Sequence, residues 1–419
     1  MLVVYIRKGI KVKMGLSHSS KVVTDGLVFY YDMSNTQKSW KGAPTTNFLL
    51  QSQVYSINWS LTDTGSPCTI VSNTFAAPDG TQTASAIVNS TSVTTLFRQS
   101  VNTSDIGTGI ITSSIYAKSY TSDYFTFNTY YPGDSEVNIS FTLTGSGSTS
   151  DPANSTITPV GNGWYRCTIK TPAKVNTGTS VEFRAWPAGR GTTTAGAGNL
   201  FWGAQLEQGT FATPYIKTTI TTVSRLNTQA IVDLTGNNTI TANSLTYNSD
   251  GSFNFNGSSS LITAAPTYNL SSGVSMEMVF KSLDIQSRGQ GYMTFSPAPA
   301  YINFYSPGDS TLRWETWVNA GTGLGGAFFS PANLSNNTWY HAVGTYYNGV
   351  SVLYINGVLV NTATYVATNY SSSYSAQLRI GEYAGYLNGS ITLSKLYNRA
   401  LSAAEVKQNF NAHRGRYGI

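Results

Sequence analysis

The residues of this chain best suited to chemistry are aromatic rings with arginines beside them. Tyr124, Tyr130 and Tyr131 lie in one aromatic-rich stretch, and Trp186 stands between Arg184 and Arg190. Trp314, Trp317 and Tyr383 are comparable places further along. A ring offers a flat apolar face on which sugars stack, while polar side chains beside it take their hydroxyls. Sugar binding is therefore the chemistry to weigh for these residues. The plainer reading, favoured for each, is that the ring fills a sandwich core or meets another subunit.

Other chemistries find no support. Glycoside hydrolysis needs two carboxylates a few ångströms apart. Glu277 stands alone in Ser-Met-Glu-Met-Val-Phe, and Glu315 has no acidic neighbour two residues away on either side. The three histidines, His18, His341 and His413, are far apart in sequence, with no Ser or Cys motif near them. Phosphate-loop and zinc-ligand spacings are missing too. The expectation is a protein that is not an enzyme and uses no cofactor.

Composition points to what must position the rings. Of 419 residues only 11% are charged, and Ser, Thr, Asn, Gly and Tyr are abundant. Few charges with many aromatic and β-branched residues suit β-sandwiches and exclude disorder. The length suggests two or three domains. Net charge is +6, but basic residues are scattered except at the two ends, so no nucleic-acid footprint is read. No apolar run reaches the roughly 20 residues of a membrane helix. Cys68 and Cys167 are the two cysteines; they read as small buried thiols of a protein folded in a reducing cytoplasm.

The clearest local signals come late. From Trp339 to Val360 apolar and polar residues alternate, interrupted by Asn348-Gly349 and Asn356-Gly357. Asn-Gly admits positive φ at both turn positions, as a type I′ hairpin requires, so three antiparallel strands are predicted. Asn388 to Tyr397 reads as another strand. Ser402 and Glu405 form a capping box, with Leu401 and Val406 as its hydrophobic staple. Gly415, among cations, suits a helix C-cap.

The run Trp-Tyr-His-Ala-Val-Gly-Thr-Tyr-Tyr followed by Leu-Tyr-Ile-Asn-Gly resembles the hairpin of laminin-G-like (concanavalin A-like) lectin domains. The ending Tyr397-Asn-Arg-Ala-Leu-Ser-Ala-Ala-Glu-Val-Lys-Gln-Asn-Phe-Asn-Ala resembles the form those domains take in tailed-phage proteins. In such domains a strand like Gly26–Ser34 opens the fold, and an Asp-Leu-Ser-Gly-Asn-like loop soon follows. Here its counterpart, Asp233-Leu-Thr-Gly236-Asn237-Asn238, comes far downstream. A structureless loop of that length is implausible, so the intervening segment should be a domain of its own. Its Thr46-Asn47-Phe-Leu-Leu50, Val160-Gly-Asn-Gly-Trp164-Tyr-Arg-Cys167 and Leu200-Phe-Trp-Gly-Ala-Gln-Leu-Glu207 resemble carbohydrate-binding jelly-roll modules of phage structural proteins.

The expected fold is thus all-β: two β-sandwich or jelly-roll domains, one inserted into the other, with a short C-terminal helix. Residues 22–42 plus 223–412 make a discontinuous lectin-like sandwich, interrupted by the jelly roll at 43–222. Residues 1–21 form an N-terminal arm, with Met14 an alternative start, and 413–419 a basic tail. Glucanases of this fold class carry a Glu-x-Asp-x-x-Glu strand, which this chain lacks. The resemblance leaves a structural calcium open, with Asp79, Gln205 and Glu207 available to it, although the paired Asp of such modules is missing. It implies Trp164, Trp202 and Tyr386 as buried fold residues and His341 as a structural one.

Functionally, the resemblance implies a non-enzymatic structural protein, exposed at the surface of a tailed-phage virion and made in the host cytoplasm. Capsid decoration, head fibre, or a short fibre or collar component are the roles it implies, with weak multivalent binding to host-surface polysaccharide. Its partners would be other virion proteins and copies of itself. The alternatives are a tail-fibre adhesin and a decoration protein that binds no glycan. A secreted bacterial glycan-binding protein is a third, which the order of apolar and basic residues at the N-terminus disfavours.

Overall fold

The computed structural model describes residues 21–35, 38–61, 67–93, 95–107, 109–133, 136–171, 179–191, 193–248, 253–269, 271–295, 301–317, 326–329, 334–364, 373–375 and 377–419. The expected N-terminal arm, Met14 and His18 lie outside them. Nearly every described element is a strand, as the composition implies, and the one long helix is C-terminal. The chain divides into two compact units, 1–35 with 232–246 and 253–419, and 36–231 with 247–252.

In the first unit Asn348 and Gly349 have φ of 47° and 78°, and Asn356 and Gly357 have 50° and 70°. These values fold Tyr340–Tyr347, Val350–Ile355 and Val358–Thr364 into the predicted antiparallel meander. Val274–Ser282 joins it from the other side, and Asn388–Tyr397 pairs next along. The strand Leu27–Asp32 lies against Asn388–Tyr397. The segment after Val232 is tied to that opening strand. Asp233 Oδ1 accepts the Tyr30 amide at 2.9 Å, and Asn238 Nδ2 donates to the Val28 carbonyl at 3.0 Å.

A seven-stranded sheet and a two-stranded one also belong to this unit, and the larger holds Arg313–Trp317. Its Trp314 is fully buried and donates from Nε1 to Ser351 Oγ at 3.1 Å. Residue 344 has to be glycine, because a Cβ there would lie 2.1 Å from Trp314 Cδ2. The helix Ala403–Tyr417 packs on the other face of the meander's sheet. Its capping box is formed, and Leu401 and Val406 share a buried cluster with Val343 and Tyr397. The helix is longer than predicted: His413 and Gly415 lie within it, and the left-handed cap is Gly418 at φ 68°. Tertiary contacts carry the helix through Gly415 against its poor propensity, because His413 meets Lys395 and Arg416 meets Asp32.

The second unit is a jelly roll of a six-stranded and a five-stranded sheet. The six-stranded sheet includes Ser155–Gly161, Trp164–Lys170, Ile111–Ser119 and Gly198–Gln208. The five-stranded sheet includes Phe97–Asn102, Ser180–Pro187, Tyr124–Tyr130 and Ile139–Thr142. Phe97, Phe125, Phe127, Phe183, Tyr165 and Cys167 fill the space between them, with Tyr131 in the same cluster. The two cysteines are free and buried; burial pushes the Cys68 thiol up to about 12 and raises that of Cys167. Where the chain enters and leaves this unit, Thr45–Asn47 pairs with Val223–Arg225.

Candidate functional site

Strand alternation decides which side chains the jelly roll presents. Along Ser180–Pro187, Val181, Phe183 and Ala185 face the core, so Glu182, Arg184 and Trp186 face outward. The register places Ser100 and Tyr130 on either side of Glu182, and Arg98 and Asn128 on either side of Arg184. Thr126 lies beside Trp186, and Ser140 beside Thr126. The outer face of the five-stranded sheet thus gathers Tyr124, Tyr130, Arg184, Trp186 and Arg190, five of the six insert residues expected to bind sugar.

The charges on this face are interlocked. Arg184 Nη1 meets Glu136 Oε1 at 2.5 Å and its Nε meets Glu182 Oε2 at 2.6 Å. Arg190 Nη1 takes the other Glu136 oxygen at 2.5 Å, and Arg98 reaches Glu182 at 3.3 Å. The two carboxylates so hold three guanidinium groups in fixed orientations through single charge-assisted contacts. Arg184 lies 3.7 Å from the centre of the Tyr130 ring, and Arg190 lies 5.2 Å from that of Trp186. Tyr124 is 47% exposed. Asn128 donates to Asn138 at 2.8 Å, while its buried Oδ1 has no partner. Beyond Ser100 the face runs into a cleft of about 780 Å³ lined by Thr46, Asn58, Gln99, Asn102 and Asp105.

Other expected residues fall elsewhere. Tyr131 and Trp314 are buried in their cores, which leaves neither ring a face for a ligand. Trp186 is also buried, with Arg190 over its ring. Tyr383 is half-buried, edge-on to Tyr305 at 5.7 Å. The Trp317 backbone pairs with Tyr301, and its side chain lies outside the described residues. Trp164 and Trp202 are buried as expected, but Tyr386 is only half-buried. Glu207 accepts hydrogen bonds from Gln205 at 2.6 Å and from Thr213 at 2.9 and 2.8 Å; Asp79 instead holds its own turn through Thr81. Among the described residues no three acidic, His or Cys side chains gather as a metal site.

Glu277 is not solitary, and two histidines are close to it. Lys395 Nζ lies 2.6 Å from Glu277 Oε1, His341 Nε2 3.1 Å and His413 Nε2 3.9 Å. Asn409 Nδ2 donates to Oε2 at 2.6 Å. All five side chains are fully buried. Although burial opposes its charge, Lys395 and the histidines hold the Glu277 carboxyl below its usual range. Burial and Lys395 push His413 down to about 3. Arg416 continues the cluster to Asp32 at 2.8 Å, so this basic end fastens to its own unit. Such a closed cluster positions the helix and offers no opening to a substrate. The clue in the sequence was a lone charge in each of two apolar strands, Met-Glu-Met and Ser-Lys-Leu. Glu182, missed in the insert, was legible as Glu-Phe-Arg-Ala-Trp, which sets acid, base and ring on one strand face.

Residues 255–407 match the family described as the concanavalin A-like lectin/glucanases superfamily. No curated protein matches the chain. Similar solved structures include the receptor binding domain of botulinum neurotoxin D, at 14% identity and TM-score 0.33, covering 44% of this chain and 50% of that one. The botulinum neurotoxin serotype G binding domain gives 15%, 0.34, 43% and 48%. The Ruminococcus gnavus IT-sialidase CBM40 bound to α2,3 sialyllactose gives 15%, 0.29, 32% and 80%. The chain spans about half the length of the first of these.

Proposed function

We propose that this is a non-enzymatic glycan-binding protein, and that its principal site is the outer face of the insert's five-stranded sheet. A lectin-type unit over residues 255–407 makes a glycan a natural ligand class. The observation that carries the reading is the arrangement on that face: Glu136 and Glu182 orient Arg98, Arg184 and Arg190 beside Tyr124, Tyr130 and Trp186. A sugar stacks on Tyr124, while Arg190, held by Glu136 and backed by the buried Trp186 ring, takes its hydroxyls with the other oriented guanidinium groups. The polar cleft beyond Ser100 accommodates further sugar units.

The tailed-phage setting rests on sequence resemblance. It supports placing the protein at a virion surface, in contact with other virion proteins and present in many copies, so that weak binding to host polysaccharide gains strength from multivalency. A glycan array with the full chain, alongside Tyr124→Ala and Trp186→Ala, tests the binding. Specific signal reduced in both variants supports the reading; folded, multimerised protein with no signal refutes it in favour of a decoration role. Release of new reducing ends from a bound polysaccharide would refute the non-enzymatic part. Immunogold labelling of intact particles tests the location.

A further inference from the structure

The opposite sheet of the insert carries a second, differently charged opening. Ser155–Gly161 and Trp164–Lys170 pair so that Thr156 faces Thr168 and Thr158 faces Arg166. Tyr165, Cys167 and Ile169 point into the core, which turns Arg166, Thr168 and Lys170 outward. These residues, with Asn154, Thr156 and Phe211, line a cleft of about 370 Å³ on the far side of the jelly roll from Arg184. Two cations and no carboxylate stand in its lining. The nearest acids are already engaged. Asp151 accepts from the amides of Ala153 and Asn154 and from Asn154 Nδ2. Glu207, one strand beyond Thr112, is held by Gln205 and Thr213.

Arg166 is fixed rather than splayed into solvent. Its Nη2 donates to Ser114 Oγ at 3.0 Å and to the Thr213 carbonyl at 2.5 Å, and its guanidinium lies 5.4 Å from the centre of the Tyr116 ring. Its buried Nε–H has no partner. A pre-oriented guanidinium, an ammonium beside it, a row of threonine hydroxyls and one apolar ring form a matched set. They suit a planar or tetrahedral oxyanion attached to a polyhydroxylated body.

We infer that this cleft is a second glycan subsite, specific for a saccharide bearing an oxyanion, which Arg166 and Lys170 pair while Thr156, Thr168 and Phe211 hold the ring. The inference rests on the glycan-binding reading and adds to it a distinct place and a charge requirement. With both sites on one unit, a charged surface polysaccharide could be gripped on two faces.

The test is calorimetric titration of the full chain with a glucuronic-acid oligosaccharide, a sulfated oligosaccharide of similar length, a matched neutral oligosaccharide and sodium phosphate. Lys170→Ser removes a cation without touching the packed core, and Phe211→Ser removes the ring. The expected result is binding of a charged oligosaccharide weakened about fivefold to tenfold in either variant, with neutral binding unchanged. Trp186→Ala should do the reverse. The uronate and sulfate arms say which oxyanion fits, and phosphate binding as tight as the oligosaccharides' would reduce the site to a simple anion trap and overturn the saccharide assignment. Charged binding untouched by Lys170→Ser and Phe211→Ser but lost in Trp186→Ala overturns this subsite while leaving the principal site standing. No saccharide binding at all overturns both.

Discussion

Each unit of this protein builds a cluster of acids, bases and aromatic rings, and these two are opposites: Glu277 with Lys395 in one, Glu136 with Arg184 in the other. In the lectin-like unit Glu277, Lys395, His341, His413 and Asn409 are all fully buried between a sheet and the C-terminal helix. In the insert Glu136, Glu182, Arg184 and Arg190 lie on a sheet face, and the Arg190 side chain keeps 44% of its exposure. The first cluster spends its hydrogen bonds on itself, and its desolvated charges can only be satisfied when the helix is docked. The second leaves Tyr124 and part of the Arg190 guanidinium open to solvent. The same pairing chemistry is a fastening where it is closed and, in the proposed function, a binding surface where it is open.

The contrast can be broken most sharply at Glu277. Glu277→Gln leaves Lys395 buried without its counter-charge, and a loss of about 3–5 kcal/mol is expected. Hydrogen exchange should show it as lost protection over the helix Ala403–Tyr417, with Ile111–Ser119 in the insert unchanged. Equal loss in both would mean that the two units unfold as one.

Acid should separate the units next. His413 stands at about 3 when folded against 6.5 when free, so the unfolded chain takes up the proton first and stability falls as pH drops from about 6.5 toward 3. Glu277, held low, adds to the loss below its ordinary range. In the insert burial raises the Glu207 carboxyl, which has the opposite sign: that contribution is present at low pH and lost as pH rises. Exchange measured at pH 7 and pH 4 should show the helix opening in acid while Gly198–Gln208 stays protected.

Glu136→Ala should leave stability within about 1 kcal/mol, because its ion pairs are partly solvated. It should weaken glycan binding about tenfold by freeing Arg184 and Arg190, as titration would show. Retained affinity would mean that the ion pairs do not orient the site. The smallest effect expected is from Ser402→Ala, about 1 kcal/mol from the lost N-cap in a denaturant melt. That value would set the scale for an ordinary helix end against which the Glu277 fastening is judged.

Local chemistry was legible in the sequence wherever its cause was local. Asn348-Gly349 and Asn356-Gly357 dictated left-handed turns and hence the meander, and Ser402 with Glu405 dictated a helix start. Alternation and composition dictated sandwiches. The aromatic and arginine types around Tyr130 and Trp186 were enough to nominate a binding surface. The tertiary structure decided what depended on separation in space. Only packing brought Lys395 and His413 to Glu277, buried Trp314 against Gly344, and kept the helix running through Gly415. It also set Glu136 against both Arg184 and Arg190. A residue's type fixes which interactions it can make; whether its faces meet solvent, a ring or an opposite charge depends on strand register and on chain segments far apart in sequence, where pattern over a short window carries no information.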